Sequence, residues 1–246
     1  MMHATTMAGY YGKLPVRGDF IQRNLPGEFI QIWDTWLQTM IASSRNNLNE
    51  QWLDYYLVSP VWRYYLTLET GMSFSGIMLP SVDKVGRYFP FTLTTPLDQH
   101  LSANRYILKN KHWYDQAEKL ALHALEENIN FDQLNYETDT LNNYIQAYTE
   151  TSPTHNSNFR VALNEQTNLE QAFSEITQHL PNNAGNDLLS YWWTGGNAQV
   201  DGNLICCNGL PDDNIYTAML DGQWELCHLQ QLNQAVTIPD SFDDLI

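Results

Sequence analysis

An α+β fold is predicted by three features of this 246-residue chain, with a mostly antiparallel sheet flanked by helices in a three-layer arrangement and a further mixed C-terminal part. Runs rich in aromatic and β-branched residues follow one another with short connections, which favours antiparallel pairing. Around them stand segments whose apolar residues recur at three- and four-residue steps, the period of a helix with one buried side. Aromatic residues make up 13% of the chain and apolar residues 43%, enough to build a folded core.

The elements can be justified in order. "AGYYGKL", Ala8 to Leu14, is aromatic and bounded by glycine and proline, as suits a short strand entering a turn. Pro15 fixes φ and Gly18 permits a positive φ, so residues 15–19 form a defined loop. Pro26 is placed to open a helix, and Phe29, Ile32, Trp33, Trp36, Leu37, Met40 and Ile41 share one face of it. "EQWLDYYLVS" makes a separate short helix that Pro60 stops. "VWRYYLTLE", "FSGIMLPSV" and "YFPFTLTTPL" are three sequential strands, the first two joined at Gly71. "YDQAEKLALHALEENI" is a helix. Further on, helices are expected at 132–149 and 168–180, with loop composition in "ETSPTHNSN" between them. "LLSYWWTGG" and "NLICCNGLP" are strands, and Pro211 with Asp212 starts a last short helix. The domain reading is a core over 1–130 and an acidic part over 131–246, packed on the core as one unit.

Charge is also unevenly divided along the chain. Up to Lys111 ten Lys and Arg stand against eight Asp and Glu, whereas from His112 onward two stand against twenty, for a net charge of −16. Such acidity repels phosphate backbones and disfavours nucleic acid and anionic membranes as partners. No apolar run reaches the roughly 20 residues of a spanning helix, and "MMHATTMAGYYGK" does not read as a secretory signal. The expected compartment is the cytoplasm. Three cysteines, Cys206, Cys207 and Cys227, without a CxxC spacing fit reduced thiols.

Short motifs carry little chemistry. Gly12-Lys13 is no phosphate loop, because Met7 stands where the motif needs glycine and Leu14 where it needs a hydroxyl. Arg17-Gly18-Asp19 is an adhesion tripeptide that a cytoplasmic protein would not use; the plainer reading is a turn at Gly18 with Asp19 capping or pairing locally. Cys206 and Cys207, adjacent on a strand, point to opposite faces and cannot share a zinc, so they read as buried small apolar residues. No GxSxG is present, and no cofactor or catalytic signature emerges. In "LPSVDKVGRYFP", Leu79 to Pro90, the residues Ser81, Asp83, Lys84 and Arg87 crowd one connection. It is either a charged binding site or a solvated hairpin held by an Asp83–Arg87 pair. Trp192-Trp193 on a strand would send one ring inward and the other outward, the outward one being a candidate interface anchor.

Several long ordered segments together resemble the TagF (ImpM) family of type VI secretion accessory proteins. They are "GYYGKLPVRGDFIQRNLP", "WDTWLQTMIASSR", "WLDYYLVSPVWRYYL", "GIMLPSVDKVGRYFPFTL" and, sparsely, "SYWWTGG" and "GLPD". The family pattern is matched at Gly12, Lys13, Leu14, Pro15, Gly18, Asp19 and Phe20, then at Trp33, Asp34, Trp36, Leu37, Ser44 and Arg45. It continues at Pro60, Trp62, Arg63, Pro80, Ser81, Asp83, Gly86, Arg87, Phe89 and Pro90, and ends at Trp192 and Trp193. Lys84 stands where the family more often has Arg, which keeps the charge and loses the planar fork. The resemblance implies a cytoplasmic, non-catalytic regulator that restrains the apparatus after translation. It also implies secretion proteins as partners, in some systems a forkhead-associated scaffold. Lys13, Asp19, Ser81, Asp83, Arg87 and Trp193 become candidate partner-binding residues, and Gly12, Pro15, Gly18, Trp33, Trp36, Pro80, Gly86 and Trp192 structural ones. Loops 13–19 and 81–87 are then expected to lie together at one end of the sheet. An enzyme using Lys13, Asp19, Asp83 and Arg87 on a phosphorylated ligand and a structural component of the apparatus are the alternatives.

Overall fold

The computed structural model describes residues 7–97, 103–146, 159–165, 167–179 and 189–232. The first part of the chain supplies β1 (Gly9–Gly12), β2 (Ile21–Arg23), α1 (Gly27–Leu48), α2 (Trp52–Val58), β3 (Trp62–Thr67), β4 (Ser73–Leu79) and β5 (Phe91–Leu97). Next come α3 (Ala103–Lys109), α4 (Lys111–Ala124) and α5 (Phe131–Thr140). The acidic part adds β6 (Phe159–Ala162), α6 (Leu169–His179), β7 (Leu189–Thr194), β8 (Asn203–Asn208), α7 (Asp213–Asp221) and β9 (Gln230–Leu232).

All these strands join one nine-stranded sheet in the order β2-β1-β5-β4-β3-β7-β8-β6-β9. Every neighbouring pair is antiparallel except β6 and β9, which run parallel. The two parts of the chain meet at β3 and β7, where Tyr64 faces Trp192 and Arg63 faces Trp193.

Helices cover both faces, and this explains why the strands read as continuous apolar runs rather than clean alternation. Tyr65, Ile77, Leu79, Phe91 and Leu93 point into a core shared with α3, α4, α5 and α6. Tyr64, Leu66, Phe74 and Met78 point the other way, against α1, α2 and α7. Every residue of β4 is buried as a result. The adjacent cysteines divide as expected, Cys206 into the first core and Cys207 into the second.

Trp192 and Trp193 also divide, but the expected surface ring does not exist. Trp193 is 4% exposed and packs edge-on against Tyr114 of α4, with ring centroids 4.6 Å apart. The second face of the strand is no surface, because α4 covers it. Arg63 beside Trp193 holds that helix down, pairing with Asp115 and Glu118 at 2.9 Å each.

The buried face of α1 carries the expected Phe29, Trp33, Trp36, Leu37, Met40 and Ile41, while Ile32 sits at its margin. Its indoles are anchored as well as packed. Trp33 donates to Thr92 Oγ1 at 2.9 Å, and Trp36 to the Pro211 carbonyl at 2.8 Å. Asp212 caps α7 by accepting the Ile215 N–H, as expected of that position. The helix expected over 132–149 is α5 followed by a 3-10 turn at Leu141–Tyr144, and that over 168–180 is α6. The expected "ETSPTHNSN" loop lies outside the described residues.

Candidate functional site at the paired loops

Strand β1 ends at Gly12, which comes so close to β5 that a Cβ there would lie 2.2 Å from the Pro90 carbonyl oxygen. Its φ of 136° lies in a region that side chains avoid. The chain can therefore leave β1 beside Pro90 and run straight into Lys13. A turn follows, closed by Arg17 N–H to the Leu14 carbonyl at 3.1 Å, with Pro15 inside it.

The second loop is a small hairpin after β4. Val82 bridges Tyr88, Phe89 N–H donates to the Ser81 carbonyl, and Asp83 N–H donates to the Arg87 carbonyl. Gly86, with φ of 84°, makes its turn. Tyr56 of α2 buttresses the base, donating to the Ser81 carbonyl at 2.9 Å and accepting the Ser81 N–H at 3.1 Å.

The two loops lie together, as expected. Lys84 N–H donates to the Arg17 carbonyl at 3.0 Å, Ser81 Oγ to the Lys13 carbonyl at 2.7 Å, and Arg87 to the Gly18 carbonyl. At their centre is the Asp83 carboxylate. Oδ2 accepts from Lys13 Nζ and Arg87 Nε, each at 2.7 Å. Oδ1 accepts the N–H groups of Val85 and Arg87 at 3.0 and 2.9 Å. Burial alone would push this carboxyl up; those four donors outweigh burial and hold it well below the usual carboxylate range. The expected Asp83–Arg87 pair is present, and Lys13 is its buried third member.

This geometry redistributes the candidate residues. Lys13, Ser81 and Asp83 are buried, so they fix the loops and do not themselves offer a surface to a partner. Trp193 lies in the core under α4 and takes no part. Arg87 is at the surface, its side chain 56% exposed, and Asp19 is exposed beside Gly18. The expectation that Asp19 caps or pairs locally is not met, since among the described residues no hydrogen bond or ion pair involves its side chain.

Two apolar members of this surface, Val85 and Phe20, were not among the expected contact residues. Val85 at the hairpin tip is 67% exposed and Phe20 44% exposed, the latter packed against Phe89 with centroids 4.8 Å apart. Lys84 and Arg17 are exposed as well. Lys13 Nζ sits 4.9 Å from the Phe20 ring centroid, so the buried pair also steadies that ring. An apolar Val at the tip of a charged hairpin was the available signal.

Residues 9–141, more than half the chain, match the model of a family described as TagF N-terminal domain, type VI secretion system-associated. The chain belongs to the TagF family. The crystal structure of PA0076 from Pseudomonas aeruginosa PAO1 matches with a TM-score of 0.69 and 28% identity, over 91% of this chain and 98% of that one. No curated protein matches. The TagF match spans both loops and ends at Leu141, just past α5. No helix among the described residues is long and apolar enough to cross a membrane, and no group of three metal-ligating side chains occurs among them.

Proposed function

We propose that this TagF-family protein is a cytoplasmic accessory regulator of the type VI secretion system. It restrains assembly or firing after translation by binding a secretion protein, without catalysis. The observation that carries this reading is the division of labour at the paired loops. Lys13 and Asp83 are consumed internally, while Arg17, Asp19, Phe20, Lys84, Val85 and Arg87 face outward on a backbone that the buried pair holds rigid. A rigid patch mixing aromatic, aliphatic and arginine side chains is the composition of a binding hot spot.

The same geometry argues against an acid–base role. All of the Asp83 contacts are donors that stabilise its ionised form, so it is a poor proton carrier near neutral pH. Affinity purification of the wild type and of the Asp19→Ala, Arg87→Ala double variant, with captured proteins identified by mass spectrometry, tests the proposal. Loss of one secretion component from the variant, with its circular dichroism unchanged, is the expected result. An identical set of captured proteins would overturn it.

A further inference from the structure

A groove of about 810 Å³ opens where α1, the 3-10 turn Asn49–Gln51, α2 and α7 converge, and it shares no residue with the paired loops. That volume lies within the range of sites that hold ligands. Its side-chain charges have one sign. Glu50 and Asp221 line it, and none of the lining residues is Lys, Arg or His. Helix poles of both signs border it, the ends of α1 and α7 and the starts of α2 and α7, so the side-chain carboxylates set its charge. Arg45, in the last turn of α1, does not offset this; its guanidinium lies 4.2 Å from the Trp52 ring centroid and outside the lining.

Asp221 stands out. It is only 7% exposed, yet its carboxylate accepts only backbone N–H groups, that of Gln223 to Oδ1 at 2.9 Å and that of Asp221 itself. No cation pairs with it among the described residues. A buried carboxylate is ordinarily paired. Burial pushes this carboxyl up, and the Gln223 N–H offsets that only in part.

The remaining walls carry side-chain amides: Asn47, whose Nδ2 already donates one hydrogen to Thr217 Oγ1 at 3.1 Å, and Asn214 and Gln223, each with a donor group and an acceptor. That pairing matches the N–H and C=O of a peptide backbone. Leu226, 78% exposed at the rim, adds an apolar contact. We propose that the groove takes an extended segment of a partner protein, with a lysine or arginine head seated between Asp221 and Glu50. The amides hold the segment's backbone, and the two carboxylates select its charge.

The test uses the full-length ¹⁵N-labelled protein and the probe peptide Ac-Gly-Ala-Arg-Ala-Gly-NH₂. Its control carries glutamate in place of arginine, and a second arm uses spermidine. The side-chain amide signals of Asn47, Asn214 and Gln223 are expected to shift saturably with the arginine peptide and not with the glutamate one. Asp221→Asn keeps the Oδ1 acceptor for Gln223 and removes the charge. It should weaken binding about tenfold or more, and exposed Glu50→Gln severalfold, with amide spectra otherwise preserved. Equal shifts from the glutamate peptide, or wild-type affinity in Asp221→Asn, would overturn the site. Shifts from spermidine with none from the arginine peptide would overturn the assignment to a peptide.

Discussion

Replacing Asp83 by Ala removes, in one step, the acceptor for four donors. Lys13 is then left as an ammonium group in a buried site, 5% exposed, with no counter-charge within reach. Breaking a buried pair from one side costs about 3–5 kcal/mol. For a chain of this size that corresponds to a fall of about 6–20 °C in melting temperature. Lys13→Met should cost less, about 1–3 kcal/mol, because Asp83 keeps Arg87 and two backbone N–H groups. Arg87→Ala should cost about 1 kcal/mol or less, since its side chain is 56% exposed. Urea and thermal unfolding of the three variants measure the order directly. If Arg87→Ala were as damaging as Asp83→Ala, or if Asp83→Ala unfolded like wild type, the buried-pin reading of Lys13 and Asp83 would be refuted.

Further outcomes follow from the same structure. The folded Asp83 carboxyl titrates below its unfolded value of about 4, so its contribution is complete above that pH and is lost as pH falls. The stability gap between wild type and Asp83→Asn should therefore narrow below about pH 4, by roughly 1.4 kcal/mol per pH unit, and a gap unchanged down to pH 2 would contradict this. Gly12→Ala sets a Cβ against the Pro90 carbonyl at a φ of 136°, and should lower the unfolding free energy by about 1–3 kcal/mol or more, read from urea unfolding. Cys206 is buried and its thiol pushed up to about 12, as is that of Cys227, so neither should react with a thiol reagent at pH 8 before unfolding. Rapid labelling of the folded protein would count against that.

Much of the architecture was legible because it is written in strong periodicities and breakers. The apolar stripe of α1, the stop at Pro60, the three strands that follow it and the turn at Gly71 between the first two all stand where the residues put them. What escaped had too few residues to carry a period. β2 is only Ile21–Arg23, β9 only Gln230–Leu232, and both are sheet edges that tertiary pairing defines. α3 and β6 are likewise short, and β6 exists because Phe159 and Val161 find a place beside β8. The surface expected for a tryptophan of the Trp192-Trp193 pair failed for a topological reason. Strand alternation gives the direction of a ring but not whether a helix waits on the other side, and α4 does. At the site, residue identity offered the Asp83–Arg87 pair as one of two readings, and the family resemblance led to the expectation that the loops meet. Neither foretold burial of Lys13, because only the approach of β1 to β5 at Gly12 carries that side chain beneath Phe20.

The central claim, that the exposed face of the paired loops is what restrains secretion, is met most directly by a secretion assay. A type VI substrate is measured in the medium of cells producing equal amounts of wild type or of the Asp19→Ala, Arg87→Ala variant. Wild type is predicted to depress secretion and the variant to restore it at an unchanged melting temperature; a variant that represses as fully as wild type would contradict the account.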